Sequence, residues 1–434
     1  MQFKTPLTII ASACLLAACQ PAQEQEAEPS SAQDLQAEQK KAEVEAMATT
    51  AANAIIGVDF VDRKVIGDAK FFWAHTARDI DGDGLADLVF INNNASGGSL
   101  GYYKGQREEG MWEKIIIADV PPTGGLFAGG DLEVADIDQD GDTDVVGIKH
   151  PGEWTDASAT AEIFWYENTG EGWNPHYIGD VPDAVKDVNF ADFDQDGLLD
   201  VALLTFDSHT LSIFKHHDAD NWERVQFIQD ETLHEGMDIG DFNADGFKDI
   251  VANAYVFYNP QGNITEDWAM QNLDEKWNNQ TGDWSRNGTK TFVTDADGDG
   301  VDDIFMCHSE RAGYPLVKYT ATQQTDGLPN WEESEILPEI TACHTLQVYD
   351  FNLDGKKDIL TGINSGRAVN LDSTNFDVSL LVGDGALYSK SQVLSAEGIY
   401  NGVAIDFEGD GDMDFFRYPN HESTELFLYE NQTK

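Results

Sequence analysis

A nine-residue motif occurs seven times in this chain at near-constant spacing, and that repetition leaves few folds open. The motif is D-x-[DNE]-x-D-G-x-x-D, and a short apolar run follows each copy. The copies begin at Asp79, Asp136, Asp192, Asp241, Asp295, Asp350 and Asp406, so successive starts lie 57, 56, 49, 54, 55 and 56 residues apart. A period in this range marks one supersecondary unit per repeat. Four short strands can be counted in each unit. One precedes the acidic loop (Leu132-Glu133-Val134-Ala135) and one follows it (Val145-Val146-Gly147-Ile148). A third is aromatic (Ile163 to Asn168), and a fourth starts near a Trp, as at Trp112, Trp222 and Trp331. Four strands per repeat predict an all-β, seven-bladed β-propeller with four-stranded antiparallel blades over residues 57–434. The last repeat stops after its third strand, and Val58–Ile66 reads as an orphan fourth strand. The N-terminal strand is therefore expected to complete the last blade and close the ring, which removes a free sheet edge.

The loops themselves point to a metal. Side-chain oxygens recur at positions 1, 3, 5 and 9, and position 6 is always Gly. A hard cation takes six to eight oxygens at about 2.3–2.6 Å, and alternate residues of a tight loop converge to supply them. The candidate ligands in the first three loops are Asp79, Asp81, Asp83 and Asp87, then Asp136, Asp138, Asp140 and Asp144, then Asp192, Asp194, Asp196 and Asp200. The fourth and fifth loops offer Asp241, Asn243, Asp245 and Asp249, and Asp295, Asp297, Asp299 and Asp303. The last two offer Asp350, Asn352, Asp354 and Asp358, and Asp406, Glu408, Asp410 and Asp414. Up to seven structural Ca²⁺ ions are expected. One such loop could be a solvated turn, since Asp and Gly favour turns; seven in phase argue for ligation.

The repeats resemble the FG-GAP/VCBS family of propellers, which includes the integrin α propeller. That resemblance implies Ca²⁺ loops and a recognition or adhesion role. The pattern Trp165-Tyr166-Glu167-Asn168 and the segment His234–Pro260 resemble, more weakly, the propeller of aldos-2-ulose dehydratase-type enzymes, which implies a lyase or dehydratase acting on a keto-sugar.

Two features of the N-terminus address the chain. Lys4 and the apolar stretch Leu7–Ala18 form a signal peptide over residues 1–18, too short to span a bilayer. Leu16-Ala17-Ala18-Cys19 resembles the lipobox of bacterial lipoproteins, which implies lipidation of Cys19 and an outer-membrane anchor, periplasmic or surface-exposed. Residues 19–56 contain no aromatic residue until the propeller begins and read as a flexible tether. Membrane contact is expected only through that anchor. The net charge of −53, from 79 acidic and 26 basic residues, excludes nucleic acid as a partner. The propeller reads as a monomer.

If the acidic loops share one rim, the residues before each first strand and after each second strand gather at the opposite mouth. Seven of the ten histidines map there, with scarce basic residues. The expected ligand there is an anionic carbohydrate such as a uronic acid, a keto-sugar, or a protein. The predicted catalytic set for sugar elimination is His234, His344, Tyr255, Arg311 and Lys290, with a His or Tyr removing a proton and a cation stabilising the enolate. Cys307-His308 and Cys343-His344 fall on adjacent blades; a disulfide, two buried thiols and a Zn²⁺ site all remain open. Trp73, Trp154, Trp277 and Trp284 are candidate platforms for sugar rings, and Gly262–Asn287 a candidate cover over the mouth. No G-x-S-x-G, P-loop, H-E-x-x-H or dinucleotide fingerprint occurs.

Overall fold

The computed structural model describes residues 58–433, apart from 93–96, 153–157, 283–284 and 326–327. The signal segment, the tether and Cys19 lie outside the described residues, as do Trp154 and Trp284.

Seven four-stranded antiparallel sheets form the ring. In blade one the strands are His75–Arg78, Asp87–Phe90, Leu100–Lys104 and Glu113–Ala118, from the axis outward. The inner strands of blades two to seven begin at Val134, Val185, Met237, Thr289, Cys343 and Val403. Each acidic loop joins the inner strand of its blade to the second, so the seven loops occupy equivalent places. Second strands are buried, as in Asp200–Thr205, with Lys149 at the end of blade two's strand partly exposed, because both faces meet a neighbouring blade. Among the described residues the one α-helix is Ser365–Asn370, and no helix is long and apolar enough to cross a membrane.

Closure follows the expected route. Phe60–Ile66 pairs antiparallel with Leu426–Asn431, from Phe60 opposite Asn431 to Ile66 opposite Leu426. Arg63 holds Glu430 at 3.0 Å and donates to Gln106 O at 2.8 Å, which ties the closing strand to blade one.

Neighbouring blades are also stitched at the loop rim. Asn168, Asn259 and Asn431 stand at the ends of the third strands of blades two, four and seven. The side-chain amide of each reaches back to a carbonyl in the preceding blade's loop: Ile80 O at 3.0 Å, Phe193 O at 2.8 Å and Phe351 O at 2.8 Å. Blades two and three share a further clamp. Trp165 Nε1 donates to Ala219 O across the gap at 3.2 Å. His176 stacks on Trp165 with centroids 4.4 Å apart, and its ring nitrogens meet Asp220 at 2.9 Å and Glu167 at 3.0 Å. Burial alone would lower the pKa of His176, but the hydrogen bonds and charges of Asp220 and Glu167 outweigh it and hold it above 6.5. A raised folded-state pKa adds stability that is fully present below the unfolded value and is lost as pH rises through the folded one. We expect His176→Gln to lower the urea midpoint at pH 6 and to matter little at pH 9. For this partly solvated pair the effect is up to about 1 kcal/mol. Equal losses at both pH values would show that stacking, not charge, does the work.

Cys307, next to last in the second strand of blade five, and Cys343, opening the inner strand of blade six, form a disulfide. This decides among the alternatives left open by the sequence: the two thiols are spent on each other, and a Cys₂His₂ zinc site is not formed.

Candidate functional site

The acidic loops have one construction. The position-6 glycines all have positive φ, from 85° at Gly84 and Gly355 to 101° at Gly141, a conformation that a Cβ disfavours. Their N–H groups donate to the position-1 carboxylate, as Gly84 to Asp79 at 2.9 Å and Gly355 to Asp350 at 2.7 Å. The position-7 N–H donates to the position-5 carboxylate, as Leu85 to Asp83 at 3.0 Å. These bonds aim the remaining carboxylate oxygens at a common point. In four loops three acidic ligand atoms lie within 4.8 Å of one another: Asp79, Asp81 and Asp87; Asp136, Asp138 and Asp144; Asp192, Asp194 and Asp200; Asp295, Asp297 and Asp299. That donor set fits a hard divalent cation.

Position 9 has a second role that spacing alone does not reveal. Its carboxylate is buried in all seven blades. One oxygen accepts the N–H of loop position 2, at 2.9 Å from Ile80 to Asp87 and 3.1 Å from Phe242 to Asp249. In six blades the other accepts an N–H at the end of the third strand, as Gly105 to Asp87 at 2.7 Å and Asn259 to Asp249 at 2.7 Å. In blade five the Thr320 hydroxyl takes that place at 2.6 Å. The residue therefore clasps the hairpin to the next strand. Burial, then the neighbouring loop carboxylates, push Asp87, Asp144, Asp200 and Asp414 up to about 7 and Asp249 up to about 8, against the pull of these N–H groups.

At the axis, a well of about 500 Å³ is lined by residues in or just before the inner strands of all seven blades, among them His75, Asp131, Asp187, Asp238, Lys290, His344 and Asn401. Glu235 is the hub near it: Lys290 Nζ lies 3.3 Å and Lys186 Nζ 3.5 Å from its carboxylate, and the Ser309 hydroxyl donates to it at 3.2 Å. Burial would raise its pKa, but the two lysines hold it below the usual carboxylate range. The other axial acids are under-compensated. Burial pushes Asp187 and Asp238 up to about 7 and Glu133 well above its ordinary value.

The predicted catalytic set is only partly assembled. His344 and Lys290 line the well. His344 Nε2 donates to Glu310 at 3.0 Å; Glu310 also takes Arg367 Nε at 3.0 Å, and the His344 ring stacks on Tyr400 at 4.7 Å. His234 is buried against Phe206, and desolvation followed by the Lys186 charge pushes it down to about 3, which makes it a weak base. Arg311 turns to the rim and donates to Thr281 O at 3.0 Å. Tyr255 starts the third strand of blade four and packs on the apolar cluster shared by blades three and four, away from this group. The basic residues that the sequence places at the mouth are paired: Lys186 and Lys290 share Glu235, Arg367 meets Glu310 and Arg417 meets Glu397.

Trp277 is fully buried and donates to Tyr319 Oη at 2.9 Å, so it is core and not a sugar platform; Trp268 is buried likewise. Trp73 is half-buried, edge-on to His421 with centroids 6.4 Å apart. Gly262–Asn287 holds the outer strand of blade four, Ala269–Asn272, and is no free lid; its far end still reaches the mouth, where Arg286 meets His209 at 3.2 Å. Glu133 and Asp238 were not anticipated. Their signal was a lone acid between apolar residues of an inner strand, which must face the axis.

Residues 79–147 and 192–252 match the FG-GAP-like repeat family, and they span blades one to four. This seven-bladed β-propeller carries FG-GAP-like repeats. No curated protein sequence matches this propeller. Among solved structures it is similar to BBS1N in complex with ARL6DN, at 12% identity and TM-score 0.49 over 86% of this chain and 95% of that one. It is also similar to a mutant of the α-L-arabinofuranosidase arb93a from Fusarium graminearum in complex with an iminosugar inhibitor, at 10% identity and TM-score 0.48 over 86% of this chain and 98% of that one.

Proposed function

We propose that this FG-GAP propeller is a calcium-stiffened recognition module that binds a hydroxyl-rich carbohydrate in its axial well. The observation that carries the reading is the well itself, about 500 Å³ of space lined by polar side chains from seven blades. Few precisely placed polar groups in a concave site fix a sugar's orientation. The acids there exceed the cations, which favours neutral or amino sugars over the uronic acids suggested by residue counts alone. Recognition is preferred to elimination because His234 is a poor base and Tyr255 stands apart. The Glu310–His344 pair keeps a lyase as the second reading.

Calcium enters through the loops. A divalent ion would balance carboxylates that burial now holds near neutrality. A site filled at a hundredfold excess over its Kd adds roughly 2.7 kcal/mol. Chelation should therefore lower the melting temperature, and added Ca²⁺ should restore it; an unchanged melting curve would remove calcium from the reading. For the ligand, calorimetric titration of neutral, amino and uronic oligosaccharides is expected to give binding to the first two that Lys290→Met weakens at least about tenfold, or ~1.4 kcal/mol. No binding by any oligosaccharide overturns the proposal. Ultraviolet absorbance from an unsaturated product would replace it with the lyase reading.

A further inference from the structure

The seven loops share one oxygen-donor pattern, with Asn243, Asn352 and Glu408 replacing Asp at position 3, but differ in the residue that leans over positions 3 and 5 from the third strand. The register identifies that residue. In blade one Tyr103 pairs with Leu88, the residue after the position-9 Asp, and Lys104 follows. Gly105, next along, donates its N–H to Asp87. The same register puts Glu167 in this place in blade two, Lys215 in blade three and Glu430 in blade seven. Tyr258, Thr320 and Val382 hold it in blades four, five and six.

Both lysines reach their own loop. Lys104 Nζ contacts Asp81 and lies 3.0 Å from Asp83; Lys215 Nζ contacts Asp194 and lies 2.8 Å from Asp196. These are positions 3 and 5, the carboxylates that a bound ion would share. An ammonium between them supplies one positive charge in the place of a hydrated divalent ion, and it is tethered, so it competes at high effective concentration. The glutamates act in the opposite sense, although each also holds a cation of its own: Glu167 lies beside Asp138 and meets His176, and Glu430 lies beside Glu408 and meets Arg63.

We propose that Lys104 and Lys215 are built-in counter-ions that partly neutralise loops one and three, so that the propeller takes divalent ions at its other loops first. This rests on the calcium reading of the loops. It divides seven similar motifs into two loops with a lysine on positions 3 and 5, two beside a glutamate and three with a neutral residue at that place, of which loop five has Lys318 3.4 Å from its position-9 Asp303 instead.

The test counts ions. Equilibrium dialysis of the full chain against Ca²⁺, with bound metal measured by mass spectrometry, is run on wild type, Lys104→Met, Lys215→Met and the double variant. Each single variant should bind one more ion than wild type at limiting Ca²⁺, and the double variant two more. In chelator each variant should melt below wild type, because the loop has lost its only cation; at saturating Ca²⁺ the difference should vanish. Glu167→Lys supplies the converse and should remove one ion from the count, which keeps the idea falsifiable even if a lysine variant folds poorly. Wild type that binds as many ions as the double variant, with equal affinity, overturns the lysine role and leaves the calcium reading standing. No Ca²⁺ bound by any of the proteins overturns both.

Discussion

A chain shortened to begin at Gly67 should fail to form a stable ring. The deletion removes Phe60–Ile66 and with it the fourth strand of blade seven. Val65 and Ile66 are fully buried, and Phe60 packs edge-on to Phe415 at 5.2 Å and to Phe351 at 6.4 Å. Burying one such side chain is worth about 1.5–3 kcal/mol, so these residues together approach the 5–15 kcal/mol by which a typical domain is stable. The backbone groups of Leu426–Asn431 would also lose their partners and offer an open edge to other molecules. Circular dichroism melts and light scattering should therefore report a broadened, lowered transition with association. Adding a peptide of residues 58–66 in trans should narrow it again. A truncated protein that melts like the intact one would mean that the ring is held shut without this strand.

The second large effect is expected from the disulfide. Cys307 and Cys343 are 36 residues apart and staple blade five to blade six. Loop-closure entropy for a bridge of this span amounts to about 3–4 kcal/mol. The double variant Cys307→Ala, Cys343→Ala should show that loss in urea unfolding. Reductant should produce the same drop in wild type and none in the variant. If reductant shifts both proteins equally, the staple does not contribute.

Blade number and closure were legible in the primary sequence because both are one-dimensional facts: seven spaced loops, and an unmatched strand at each end. The glycines were legible too, since a tight loop at position 6 needs a left-handed backbone wherever it occurs. The mouth was less so. Lys186 and Lys290 come from different blades and meet on Glu235, and no local pattern announces that two scarce cations will share one acid. Counting positive residues near an opening therefore overstated its charge. Trp277 shows the same limit: its loop position suggested exposure, yet it turns inward to Tyr319. The double duty of position 9 was hidden because its second partner lies on another strand, ten to two dozen residues away, as Asn259 from Asp249 and Asn168 from Asp144.

The pairing of Phe60–Ile66 with Leu426–Asn431 also orders events during synthesis. The first β-strand to leave the ribosome has no permanent neighbour until the last one has been translated. Throughout elongation the nascent chain is a growing arc with a moving end, and its earliest segment waits beside it unpaired. Shutting the arc joins residues more than 360 positions apart, the kind of distant contact that slows maturation and rewards a chaperone's shelter.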